Sequence, residues 1–156
     1  MPRYYNNRSY RPYKKAKRPT ERIIRAAQTT VAPGTTTTGY VWTCDTPSTV
    51  CQIKLDAGMD RDPGSALQNT IAYALVYVPE GYNANTLNFP ALANDLYNPT
   101  KYVFISGVLN SINNEDHKFT RYGRKCVPGD RIALLFYNSD AAAQTAAFEL
   151  SFTVVA

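Results

Sequence analysis

Two stretches, "NTIAYALVYVPEG" (69–81) and "DRIALLFYNS" (130–139), decide how the chain is read. Each is a short run of β-branched, aromatic and aliphatic residues bounded by turn formers. Pro79 and Gly81 stop the first, and Pro128-Gly129-Asp130 turns the chain into the second. On a strand, Val76 and Val78 would face one side and Tyr77 the other, while "RIALLF" is apolar almost throughout. A strand apolar on both faces is covered on both, which reads "RIALLF" as buried within a packed β-structure.

Working outward, "GYVWTCDT" (39–46) and "VCQIKLD" (50–56) alternate about a short turn and read as a hairpin. "KYVFISGVLNS" (101–111), "HKFTRYGRK" (117–125) and "AAFELSFTVVA" (146–156) complete a set of seven or more strands. Helix is scarce: "SALQNT" (65–70) and "NFPALANDLY" (88–97) offer at most short loop helices. The segment "TERIIRAAQ" (20–28) reads as one or two helical turns, with Thr20 as N-cap and Glu21 in the first turn. "TTVAPGTTTTG" (29–39) then reads as a linker. An all-β domain of this kind is a sandwich, a barrel or a jelly roll, and strand count does not choose among them.

Charge divides the chain. Met1 to Ala26 carries nine basic residues against Glu21, a net of +8, whereas the remainder holds eight basic and eleven acidic residues, a net of −3. A strongly cationic arm on a mildly acidic body is a polyanion-binding tail rather than a basic domain surface. Pro2, Pro12 and Pro19, with many Asn, Arg and Tyr residues, leave the arm too little apolar surface to offset the cost of ordering it. The expected organisation is a basic, mostly disordered arm and linker over 1–37 and one β-domain over 38–156. The longest apolar runs fall well short of the ~20 residues that cross a bilayer, so the chain reads as soluble, made inside the cell and not inserted in a membrane.

Catalytic chemistry finds little support. The sole histidine, His117, lies in the polar segment "NNEDHKF", where it reads as a surface residue rather than half of a catalytic pair. No CxxC or HxxxH pair suggests zinc. Asp56, Asp60 and Asp62 in "DAGMDRDPG" are weak candidates for Ca²⁺, lacking the later glutamate of an EF-hand loop, and the reading is of no metal and no cofactor. Cys44 and Cys51 flank Pro47-Ser48 and read as reduced neighbours across a hairpin.

Nucleic acid is the partner that the arm suits. Arg3, Arg8, Arg11, Lys14, Lys15, Lys17, Arg18, Arg22 and Arg25 would pair with phosphates and release counterions, and Tyr4, Tyr5, Tyr10 and Tyr13 would stack on unpaired bases. Single strands fit this arm better than a duplex. Arg11, Lys14, Lys15, Lys17 and Arg18 in "RPYKKAKRP" also have the composition that nuclear import receptors read. An alternative is a monomeric single-strand-binding module, an OB-like barrel with a basic tail, although its body would be expected to be cationic rather than −3.

The blocks "YALVYVPEGYNANTL", "LYNPTKYVFISGV" and "RYGRKCVPGDRIALLFYN", in that order behind a basic arm, resemble the capsid proteins of small circular Rep-encoding single-stranded DNA viruses, the circovirus-like CRESS-DNA group. That resemblance implies a single jelly roll of eight strands in two packed antiparallel sheets. It further implies copies closing into an icosahedral shell, of T=1 geometry with about 60 subunits, around a circular single-stranded DNA genome. The protein would then reside in the virion, and in the host nucleus during assembly, with a host attachment factor the blocks do not identify. Arg121, Arg124 and Lys125 are the expected DNA-facing residues of the body.

Overall fold

The structure is a computed structural model, and it describes residues 20–59, 70–82, 102–110 and 112–156. Nine strands follow one another: β1 (Thr20–Val31), β2 (Thr36–Thr43), β3 (Ser48–Met59), β4 (Thr70–Val78), β5 (Val103–Asn110), β6 (Glu115–Thr120), β7 (Arg124–Cys126), β8 (Arg131–Asn138) and β9 (Gln144–Val155). They form two antiparallel sheets, one ordered β1-β9-β3-β6 with β7 also on β3, the other β2-β8-β4-β5.

Both β6 and β7 pair with β3, the first along Ile53–Gly58 and the second along Ser48–Val50. They are therefore two halves of one edge strand, interrupted at Arg121-Tyr122-Gly123, and the sandwich has four strands on each side. Consecutive strands mostly alternate between the sheets, which is the double Greek-key path of a jelly roll. Two separate sheets also set the molecule apart from the closed five-stranded barrel of an OB fold.

The centre lies at β4 and β8. From Tyr73 to Val78 every residue of β4 is buried, as is every residue of β8 from Ile132 to Phe136. Their inward side chains, Tyr73, Leu75, Tyr77, Ile132, Leu134 and Phe136, meet Ile53, Leu55, Leu150 and Phe152 of the other sheet. Trp42 sets its edge against Phe152 at 5.9 Å between centroids, an aromatic packing that joins the layers. Ala74, Val76, Val78, Ala133 and Leu135 form a second buried cluster on the other side of the same sheet.

Three sequence expectations are overturned. The segment "TERIIRAAQ" is not helical, and residues 20–37, expected as arm and linker, belong to the sandwich: β1 pairs with β9 along its whole length, from Thr20 opposite Val155 to Val31 opposite Gln144. Its β-branched residues and ladder partners outweigh the local N-cap signal. The expected β2–β3 hairpin does not form either, because β2 pairs with β8 while β3 pairs with β6, β7 and β9. Cys44 and Cys51 are consequently not cross-strand neighbours. Buried Cys44 sits instead near Cys126 at the end of the sandwich, where Cys44 N–H donates to Asp130 O and Gly129 N–H to Cys44 O. All three thiols are free, and burial pushes Cys44 up and Cys126 up to about 12. "SALQNT", apart from Thr70 in β4, and "NFPALANDLY" lie outside the described residues.

Candidate nucleic-acid interface

In an antiparallel ladder, residues directly opposite one another point to the same face. The register therefore lays out the solvent face of the five-stranded sheet as rows running across β1, β9, β3 and the β6/β7 edge. The row nearest the start of β1 is Thr20, Val155, Thr49 and Lys125; the next is Arg22, Thr153 and Cys51. Then come Ile24, Ser151, Lys54 and Phe119, followed by Ala26, Glu149, Asp56 and His117, and finally Gln28, Ala147, Gly58 and Glu115.

This face is polarised. Lys125, Arg22 and Lys54 stand in the rows nearest the point where the arm enters, and Glu149, Asp56 and Glu115 in the rows farthest from it. The boundary between them is a local ion-pair cluster. Lys54 Nζ lies 2.5 Å from Asp56 Oδ2, and His117 Nδ1 lies 2.7 Å from Asp56 Oδ1. These bonds, Lys54 first and His117 second, hold the Asp56 carboxyl below the usual carboxylate range. A shallow groove over Ala26, Gly58 and Ala147, bordered by Asp56, Glu115, His117 and Glu149, occupies the acidic end.

The edge strand breaks where β3 bulges. The β3–β9 register shifts between Cys51 and Lys54, and Gln52 adopts φ +52°, a left-handed conformation rare outside glycine. Opposite that bulge, Gly123 lies against β3, where a Cβ would make ordinary van der Waals contact with Cys51 Cβ at 3.4 Å and Val50 O at 3.5 Å. Thr120 Oγ1 accepts from Tyr122 N–H at 3.1 Å, and this bond shapes the interruption. The result displays Arg121 and Tyr122 outside the ladder, with Phe119 just before them and Lys125 just after.

Each sequence candidate can now be placed. Arg121 and Lys125 are exposed, and among the described residues neither has a hydrogen-bond or ion-pair partner. Arg124 is separated from them: one position from Lys125 on β7, it faces the interior, with its guanidinium carbon 3.8 Å from the centre of the Tyr77 ring. Arg22 and Arg25 lie on β1, where Arg22 donates to Ser151 Oγ at 3.0 Å. The remaining arm candidates, Arg3 to Arg18 and the four arm tyrosines, lie outside the described residues, as do Asp60 and Asp62. Asp56, the third of the weak metal candidates, is engaged by Lys54 and His117 as above. No group of His, Cys, Asp and Glu suited to a metal occurs among the described residues. His117 is exposed on β6, and its pairing with Asp56, across 61 positions of sequence, had no local signal.

No protein-family model matches the chain, and no curated protein matches it in sequence. Among solved structures it is similar to the decameric BFDV capsid protein, at 9% identity over 86% of this chain and 96% of that one, with a TM-score of 0.45. The jelly-roll assignment rests on the strand order itself.

Proposed function

We propose that the chain is a viral capsid protein whose copies close into an icosahedral shell and package single-stranded DNA. The observation that carries this reading is the joint placement of arm and fold: residues 1–19 hold seven basic residues and no acid, a net of +7, and lead into a jelly roll at the cationic end of a polarised sheet, on a body over 20–156 that is net −2. Jelly rolls are a recurrent capsid architecture, and a cationic segment supplies sequence-independent affinity for a polyanion. In this reading the role is structural rather than catalytic. The sandwich interior is closed by apolar and aromatic side chains.

The shell is proposed to have T=1 geometry. About 60 arms of +7 would then bring on the order of 420 positive charges to a genome carrying one negative charge per nucleotide, so a longer genome draws on body cations such as Arg121 and Lys125. The segment "RPYKKAKRP" is proposed to serve additionally as a nuclear import signal, the shell being assembled in the host nucleus.

Sedimentation and electron microscopy of the full chain test assembly, with nucleic-acid content read from the particles. Closed particles are expected. Removing residues 1–19 should leave particles of the same size with much less nucleic acid. A purely monomeric protein would sink the capsid reading, and full nucleic-acid content without the arm would sink the arm's packaging role.

A further inference from the structure

We infer that the interruption between β6 and β7 is a base-stacking site for single-stranded nucleic acid on the folded domain, distinct from the arm, with Phe119 and Tyr122 as the stacking rings. This inference rests on the single-stranded DNA reading above and deepens it. Phe119 is 60% exposed and Tyr122 56%. Rings left open to water are costly unless something covers them.

What covers them is indicated by their surroundings. Phe119 stands opposite Lys54, and Tyr122 lies between Arg121 and Lys125 along the chain. Arg22 lies in the row between those of Lys54 and Lys125 on the same face. Open rings interleaved with cations match a strand of unpaired bases, in which π-faces and phosphates alternate. A duplex would bury its base faces and leave the rings unused. The location agrees: Lys125 shares its row with Thr20, so the arm joins the sheet at the end of this face that carries Lys125 and Arg22.

The backbone is arranged to present the rings. A continuous edge strand would place residues 121–123 in the ladder on β3. They lie outside it, opposite the bulge at Gln52, and the Tyr122 ring stands 6.4 Å from that of Phe104, which packs on the core, at the rim of the sandwich. Bulges that redirect side chains in this manner occur preferentially at functional positions.

The test uses the full chain and a fluorescent oligothymidylate, titrated at about 0.5 M salt, where phosphate pairing is weak and stacking persists. Phe119→Ala with Tyr122→Ala should weaken binding about tenfold or more while leaving the slope of log affinity against log salt unchanged, because no charge is lost. Phe119→Tyr with Tyr122→Phe should restore it. Arg121→Gln with Lys125→Gln should instead flatten the salt slope by about 1.4. Ultraviolet cross-linking should map thymine to the peptide spanning 119–125. Wild-type affinity in the double alanine variant would overturn the inference and leave the capsid reading intact. So would unchanged affinity with lost particle formation, which would reassign the rings to a contact with a second copy. No binding of the oligonucleotide by the unaltered chain would overturn the single-stranded DNA reading itself.

Discussion

The Tyr77 hydroxyl donates a hydrogen bond to Asp130 Oδ2 at 2.7 Å, joining β4 to the turn that precedes β8 in a site where Asp130 is 2% exposed. The same carboxylate accepts Val127 N–H at 2.8 Å and Glu80 N–H at 3.1 Å, so one side chain ties together two turns and the end of a core strand. Both turns carry a glycine with positive φ, Gly81 at 82° and Gly129 at 92°. The side chain that closes the sandwich end thus also holds two glycine turns.

Losing that carboxylate leaves three donors without their acceptor. Asp130→Ala is expected to cost about 3 kcal/mol or more of unfolding free energy, read from the denaturant midpoint. Tyr77→Phe removes one donor and leaves Asp130 its two backbone bonds, so its cost should be nearer 1 kcal/mol. Burial first, and the bond to Asp130 second, push the Tyr77 hydroxyl up to about 12 from its ordinary 10.0. Its contribution is therefore present below pH 10.0 and lost as pH rises toward 12, a decline on the alkaline limb that Tyr77→Phe should reduce.

A second prediction concerns Gly107 on β5. A Cβ there would lie 2.4 Å from the Tyr73 hydroxyl oxygen and 2.7 Å from Asp116 Oδ2, inside the 2.6 Å hydrogen bond those two groups share. Tyr73 is fully buried and has nowhere to withdraw. Gly107→Ala should cost about 2–3 kcal/mol through overpacking and loss of that bond, while Gly39→Ala, which meets nothing within 4 Å, should be close to neutral. Comparable thermal midpoints for the two variants would contradict the packing argument.

The Asp56 cluster makes a pH prediction of the opposite sign. Lys54 and His117 lower the Asp56 carboxyl below its ordinary 3.8 in the folded state, so the stabilisation is present above pH 3.8 and lost as pH falls through the folded value. Asp56→Asn should flatten the acid limb of the stability curve in that window. His117→Ala should do so in part, because Lys54 remains. Since the cluster is open to solvent, the difference should shrink in about 1 M salt.

How much of this was legible in sequence depended on whether a signal was local. The strands β4 and β8 were visible because apolar residues on both faces make runs that need no knowledge of their neighbours. The strand β1 was hidden because nearly all its side chains face solvent, and only Ile23 and Val31 are fully covered. What identifies it is β9, more than a hundred positions away. The β2–β3 turn misled for the converse reason: two alternating runs about a short connection look alike whether the chain folds back in one sheet or crosses to the other. In the candidate site, alternation along β7 already implied that Arg124 and Lys125 face opposite ways. The openness of Tyr122 had no such sign, because it lies in a break opposite a bulge in a different strand.

Those lessons converge on where the arm ends, which truncation can measure. Removing residues 1–19 leaves all of β1 and should leave the unfolding midpoint unchanged. Removing residues 1–26 takes seven of the twelve β1 residues, including buried Ile23, and exposes the matching stretch of β9 from Glu149 to Val155. Loss of Ile23 costs about 2–4 kcal/mol by itself, with further cost from the uncovered β9 edge. The longer truncation should therefore unfold at markedly lower denaturant and aggregate through the bared edge, whereas the shorter one keeps its fold and loses only its cationic segment. Equal stability of the two would mean that β1 is dispensable to the sandwich, against the pairing of all twelve of its residues with β9.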